Sequence, residues 1–145
     1  MFQQVQAASP MLAPVVVLVL WTFFMWGWMY YTRIPAVLGM KMRLDPNIPR
    51  GQQMNELPPQ VRWKADNYNH LLEQPVLFYA VAMVLAITRD NSNFALGLAW
   101  LYVALRVAHS VWQALVNVIQ VRFYLFIASS LVLLALTLRA ASRVF

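Results

Sequence analysis

The stretch RWKADNYNHLLEQPVLFY, residues 62–79, carries two basic side chains (Arg62, Lys64), two acidic ones (Asp66, Glu73) and His70, and then turns apolar. The apolar part runs without charge to Thr88, so ionisable groups crowd the mouth of a helix that otherwise has the composition of a membrane span. Such groups are costly at membrane depth and must face protein, water or ligand rather than lipid. The charge-free part, residues 74–88, is only 15 residues long, so the polar half has to enter the membrane with it. Pro58-Pro59 suits the first turn of this helix, where a missing N–H removes no hydrogen bond. The helix is therefore expected from about residue 60 to 88.

Outward from this segment, three further apolar runs appear. Residues 11–32 are 22 residues without a charge, enough to cross about 30 Å of hydrocarbon. Their second half is rich in aromatics that favour the headgroup boundary, and Arg33 with Pro35 is expected to end the helix. Residues 33–59 contain Pro35, Pro46, Pro49, Pro58 and Pro59 with Gly39 and Gly51, which predicts an irregular loop. A polar turn, Arg89 to Asn93, leads to a third span at about 94–121, and Arg122 marks a short turn to a fourth at about 123–141. The expected fold is thus a single all-α integral membrane domain, a bundle of four transmembrane helices.

Composition agrees: 61% of the 145 residues are hydrophobic and 11% charged, far from the balance of a soluble domain. Cysteine is absent, which removes disulfides, thiolate nucleophiles and cysteine metal sites. Two histidines make a poor metal set, so no metal is expected. The four glycines are isolated and build no phosphate loop. The excess of +6 reads as a topology signal, with no nucleic-acid partner expected. Arg33, Lys41, Arg43, Arg50, Arg62 and Lys64 cluster around the first loop, which the positive-inside rule places with Arg122 in the cytoplasm and both termini on the other side. The N-terminal stretch, residues 1–14, lacks the basic start of a signal peptide, so the first apolar run is expected to be retained.

Inside the third run, Arg106, Ser110, Gln113, Asn117 and Gln120 follow a four-three spacing and share one helix face. Glu73 lies roughly 20 Å along the second span and Arg106 roughly 22 Å from the cytoplasmic end of the third. An unpaired charge there costs at least about 2.5–3.5 kcal/mol, so Glu73 and Arg106 are expected to pair, within the chain or across a subunit boundary. Pro75 is expected to free the Leu71 carbonyl and bend the helix. Each of these residues also has a packing role open to it: Glu73 with Arg106 as a register clasp, His70 and His109 as hydrogen-bonded interior histidines, and Asn117, Gln113 and Gln120 as interhelical glue. Arg122 and Arg33 either anchor helix ends by snorkelling or present a guanidinium to an anion.

The runs ADNYNHLLEQPVLFY (residues 65–79) and ALRVAHSVWQALVNVIQVRFYLF (residues 104–126) resemble the membrane-associated proteins in eicosanoid and glutathione metabolism (MAPEG), in particular their bacterial branch. The resemblance implies a left-handed four-helix bundle assembled as a homotrimer in a bacterial inner membrane, with glutathione as co-substrate in clefts between subunits near the cytoplasmic side. It sets Asn69 and Glu73 at the asparagine and glutamate of the second-span motif, Arg122 at the arginine that stabilises the glutathione thiolate, and Arg33 at the first span's terminal arginine. Asn69 and Glu73 stand four apart here rather than three, and Gln74 replaces the tyrosine that follows the glutamate in leukotriene synthases.

Arg122 and Arg33 are accordingly the catalytic candidates. Arg62, Lys64, Asn69, Glu73, Arg106, His109 and Asn117 are the candidates for holding glutathione. The expected activity is a glutathione-dependent transferase or peroxidase acting on a small lipophilic electrophile that arrives through the lipid bilayer. In that reading Arg62, Lys64 and Arg122 clamp the two carboxylates of the tripeptide and Glu73 takes its amine. The alternative is a non-catalytic trimeric scaffold, an accessory subunit, or a lipid-binding protein that uses the basic loop on anionic headgroups.

Overall fold

The computed structural model describes residues 8–145; residues 1–7, the first half of the N-terminal stretch lacking a basic leader, lie outside them. Among the described residues, five α-helices form four membrane-length segments: α1 Leu12–Gly39, α2 Pro59–Leu71 continued by α3 Pro75–Ile87, α4 Asn93–Leu115 and α5 Ile119–Val144. A short 3-10 turn, Gln53–Glu56, interrupts the first loop. The expected four-span, all-helical bundle is the architecture observed.

The helix ends differ from the sequence expectation for local reasons. α1 runs through Pro35 to Gly39, past the expected stop at Arg33. Proline's φ is compatible with a helix and its ring removes a single bond, so a helix already propagating can absorb it near its end. Lys41 then takes a left-handed φ of 51°, and Met42 N–H reaches back to the Val37 carbonyl at 3.2 Å, a Schellman-type closure. The irregular loop therefore begins about seven residues later than Arg33 suggests. α2 starts at Pro59, as the Pro58-Pro59 pair predicts.

The third span ends at Leu115 rather than near Val121. Asn117 adopts φ 58°, and its N–H and that of Val116 both bond to the Trp112 carbonyl, at 2.8 and 2.9 Å. Asparagine tolerates the left-handed region better than most residues, which makes it the stop signal here. The polar face of the third span consequently breaks. Arg106, Ser110 and Gln113 are buried, Asn117 sits in the turn, and Gln120 is exposed in α5. Arg122 belongs to the first turn of α5 instead of a separate turn.

The core is layered from α1 (Leu18, Met25), α3 (Phe78, Ala82, Leu85), α4 (Ala95, Ala99, Tyr102) and α5 (Leu133, Leu136, Ala140). Phe78 stacks on Tyr102 with ring centroids 4.6 Å apart. Small residues on α4 let its neighbours approach closely, the usual device where lipid supplies no hydrophobic drive. Polar bonds lock the register. Ser110 Oγ accepts from Trp21 Nε1 at 2.9 Å and from Asn67 Nδ2 at 2.6 Å, which joins α1, α2 and α4 at one atom.

At the opposite end of the bundle, Asp90 is fully buried in the α3–α4 turn and accepts from Arg139 Nε at 2.6 Å and Arg143 Nε at 3.1 Å. Ser92 N–H adds a third bond at 3.2 Å and the Ser92 hydroxyl caps α4. Ser9 Oγ donates to Asn91 there, so the start of α1, the α3–α4 turn and the end of α5 meet on one side, as four antiparallel spans require. The hydrogen bond from Arg139 holds the Asp90 carboxyl well below the usual carboxylate range, against the opposing effect of burial. A carboxyl whose folded value is depressed stabilises fully above its unfolded value and loses that contribution as pH falls.

Asp90→Asn should therefore lower the thermal midpoint in detergent at pH 7 and flatten the loss of stability below about pH 4. An unchanged midpoint at pH 7 would contradict the clasp. Single interhelical bonds in membranes are worth about 0.6 kcal/mol, but Ser110→Ala strands the Asn67 and Trp21 donors at once. It should cost roughly 1–2 kcal/mol, read by unfolding in mixed micelles.

Candidate functional site

The break between α2 and α3 organises the polar residues. Pro75 opens α3, residues 72–74 form a turn, and Leu72 N–H closes on the Asn69 carbonyl at 2.9 Å. The helix is interrupted just before Pro75, where a bend is expected, and the carbonyl put to use is that of His70 rather than Leu71. Arg106 Nη2 donates to His70 O at 3.1 Å and to His70 Nδ1 at 3.0 Å. A guanidinium can only donate, so Nδ1 is the bare nitrogen of a neutral imidazole. His70 in turn stacks on His109 at 4.9 Å, and Phe126 lies under the guanidinium at 5.9 Å.

The expected ion pair between Glu73 and Arg106 is not formed within the chain: among the described residues, the ion pairs found are those of Asp90. Glu73 is within electrostatic range of Arg106 yet exposed, in the turn between α2 and α3. Its spacing explains this: Glu73 stands eleven, seven and four residues after Arg62, Asp66 and Asn69, in register with the outward face of α2, and Arg106 takes the His70 carbonyl as its partner. Gln74, the next residue, points inward instead. Its amide donates to Ser130 at 2.7 Å and its carbonyl accepts from Tyr102 at 3.3 Å, tying the break to α4 and α5.

The remaining candidates fall into two outward groups. Arg62, Asp66, Asn69 and Glu73 recur at four, three and four residues, a stripe along one face of α2 that continues into the following turn, with Asp66, Asn69 and Glu73 exposed. Its first three members line a polar cavity of about 270 Å³ together with Arg33 from α1 and Arg50, Gly51, Met54 and Asn55 from the loop. Gly51 takes φ 87° there, a turn suited to glycine. The Nε atoms of Arg33 and Arg62 are buried without a hydrogen-bond partner. Further along, Arg122 Nη1 donates to Asn117 Oδ1 at 2.7 Å, and Arg122 is within electrostatic range of Asp66.

Lys64 does not join either group. It is buried on the other face of α2, donates to the Gln60 carbonyl at 2.8 Å and lies 5.0 Å above the Trp28 ring. Arg106 and His109 are interior, so in the single chain they position the α2–α3 break rather than face a ligand from outside. Arg50, Asn55 and Asp66 were not among the sequence candidates. Asp66 was recoverable from the 62-66-69-73 spacing; the return of the loop over α2 leaves no periodic signal.

Among the described residues no cluster of metal-ligating side chains occurs. The arrangement offers instead an arginine-rich, donor-heavy pocket with carboxylates nearby, the complement of a small zwitterion or anion. Comparison with curated proteins and with solved structures gives no match. A family model does match, over residues 11–142 of the 145. The chain belongs to the MAPEG family.

Proposed function

We propose that the chain is a glutathione-dependent transferase or peroxidase of the membrane, acting on lipophilic electrophiles as a homotrimer. The observation that carries this reading is the stripe Arg62, Asp66, Asn69 and Glu73, turned outward on a membrane-spanning helix, whose first three members meet Arg33 in one cavity. A carboxylate on an outward face at membrane depth is too costly against lipid. It calls for a neighbouring subunit and a polar ligand, and a cleft between subunits supplies both.

Glutathione fits the donor set. Arg62 and Arg33 face its carboxylates, Asn69 supplies an amide, and Glu73 takes the amine. Lys64 plays no part, being held against Gln60 and Trp28. Arg122, oriented by Asn117, stabilises the thiolate, the reactive form of the thiol. In the transferase reaction the thiolate sulfur bonds to an electrophilic carbon, whose leaving atom departs with the bonding pair and a proton. In the peroxidase reaction the sulfur attacks a hydroperoxide, releasing the alcohol. A second glutathione then converts the sulfenic acid to glutathione disulfide and water. The cytoplasmic face of a bacterial inner membrane, with both termini on the other side, would give the pocket access to the glutathione pool.

A second reading, a non-catalytic trimeric scaffold, draws on a different observation. Much of the interior polar seam is consumed by its own helix contacts, namely Arg106 with His70, Asn67 and Trp21 with Ser110, and Gln74 with Ser130. Calorimetry separates the two. Glutathione should bind the purified protein at millimolar or lower concentration, and Arg62→Ala should weaken it by about tenfold or more, as expected for a lost charge-assisted bond. Arg122→Ala should mainly remove the thiolate absorbance near 240 nm and the turnover of an electrophile. No heat and no thermal shift with glutathione would leave the scaffold reading standing.

A further inference from the structure

The basic loop contributes one side chain that glutathione chemistry does not use. Arg50 folds back to line the cavity with Arg33 and Arg62, and the three arginines there face a single carboxylate, Asp66. Arg33 and Met54 also line a second cavity of about 340 Å³, whose other walls, Tyr30, Ile34, Val37, Leu38 and Leu44, are almost wholly apolar. An arginine cluster thus adjoins an aliphatic groove through two shared lining residues. Ile34, Leu38 and Leu44 are exposed along it.

The position relative to a bilayer is set by length. α1 has 28 residues and is therefore roughly 42 Å long, against a hydrocarbon core of about 30 Å. Its last two turns extend into the headgroup layer, carrying Arg33, Ile34, Val37 and Leu38 across the boundary between chains and headgroups. A soluble tripeptide would leave the groove uncovered, and an uncharged hydrocarbon would leave the arginines without acceptors.

We propose that this composite cavity binds one anionic phospholipid, with its phosphate diester among Arg33, Arg50 and Arg62 and an acyl chain along the groove of α1. A phosphodiester brings acceptors only, matching donor-only guanidinium groups, and the buried, unpartnered Nε atoms of Arg33 and Arg62 provide donors for them. The lipid would share Arg33 and Arg62 with glutathione, whereas Arg50 and the groove belong to the lipid alone.

The test titrates three probes into the amphipol-stabilised full chain by calorimetry: dihexanoyl phosphatidylglycerol, dihexanoyl phosphatidylcholine and glycerol 3-phosphate. Phosphatidylglycerol should bind at least about tenfold more tightly than either of the others. Arg50→Gln should weaken it about fivefold, the effect of one basic residue at an anionic surface, while phosphatidylcholine changes little. Leu44→Asn should weaken both lipids and spare glycerol 3-phosphate, and it decides the matter if Arg50→Gln does not fold. Equal affinity for the two lipids would overturn the proposal, as would glycerol 3-phosphate binding as tightly as phosphatidylglycerol, which would mark a free-phosphate site. Unchanged phosphatidylglycerol affinity in a folded Arg50→Gln protein would overturn it too.

Discussion

The Arg106 guanidinium on the His70 carbonyl is the contact on which the rest of the arrangement depends. A helix broken at membrane depth exposes carbonyls that lipid cannot satisfy, and such a break lies just before Pro75. Arg106, fully buried, meets it from the facing helix with two donors to one residue. The same contact gives a buried cation two acceptors, carbonyl and imidazole, without an ion pair. Gln74 completes the turn from the other side through Ser130 and Tyr102. The break is thereby a built joint between two short helices.

The charged face of α2 looks outward by its own spacing. Residues 62, 66, 69 and 73 form that stripe, while Asn67 and His70 turn in to meet α4. One helix segment therefore serves two purposes, with packing on one face and ligand-accessible polarity on the other. The first loop and the overlong end of α1 close over the stripe, adding Arg33, Arg50 and Asn55. At the far end the Asp90 clasp holds α5 to the α3–α4 turn, so the polar cavity lies at the end of the bundle away from the most strongly bonded turn.

Much of this was legible in the chain. Four apolar runs, the Pro58-Pro59 start, the four-three polar face of Arg106, Ser110 and Gln113, and the interruption at Pro75 all follow from composition and spacing. The errors have specific sources. Pro35 was read as a stop although a helix already formed tolerates one missing bond near its end. Asn117 was read as part of a polar face although its capacity for a left-handed φ made it a terminator. Glu73 was paired with Arg106 from depth alone, and depth carries no information about azimuth; the four-three-four spacing from Arg62 through Asp66 and Asn69 sets Glu73 on the outward face.

Sequence by itself determined the class, because a hydrocarbon layer admits few structures and imposes a length and a composition on each span. It also determined that charged groups at the mouth of the second span needed partners. Only the tertiary structure decided who those partners are: His70 rather than Glu73 for Arg106, Asp90 for Arg139 and Arg143, and Arg50 beside Arg33 and Arg62. The physical reason is that periodicity is a property of one continuous helix. Where a proline turn resets the phase, or a loop returns over a helix, the side chains that meet are chosen by backbone geometry that no local pattern records.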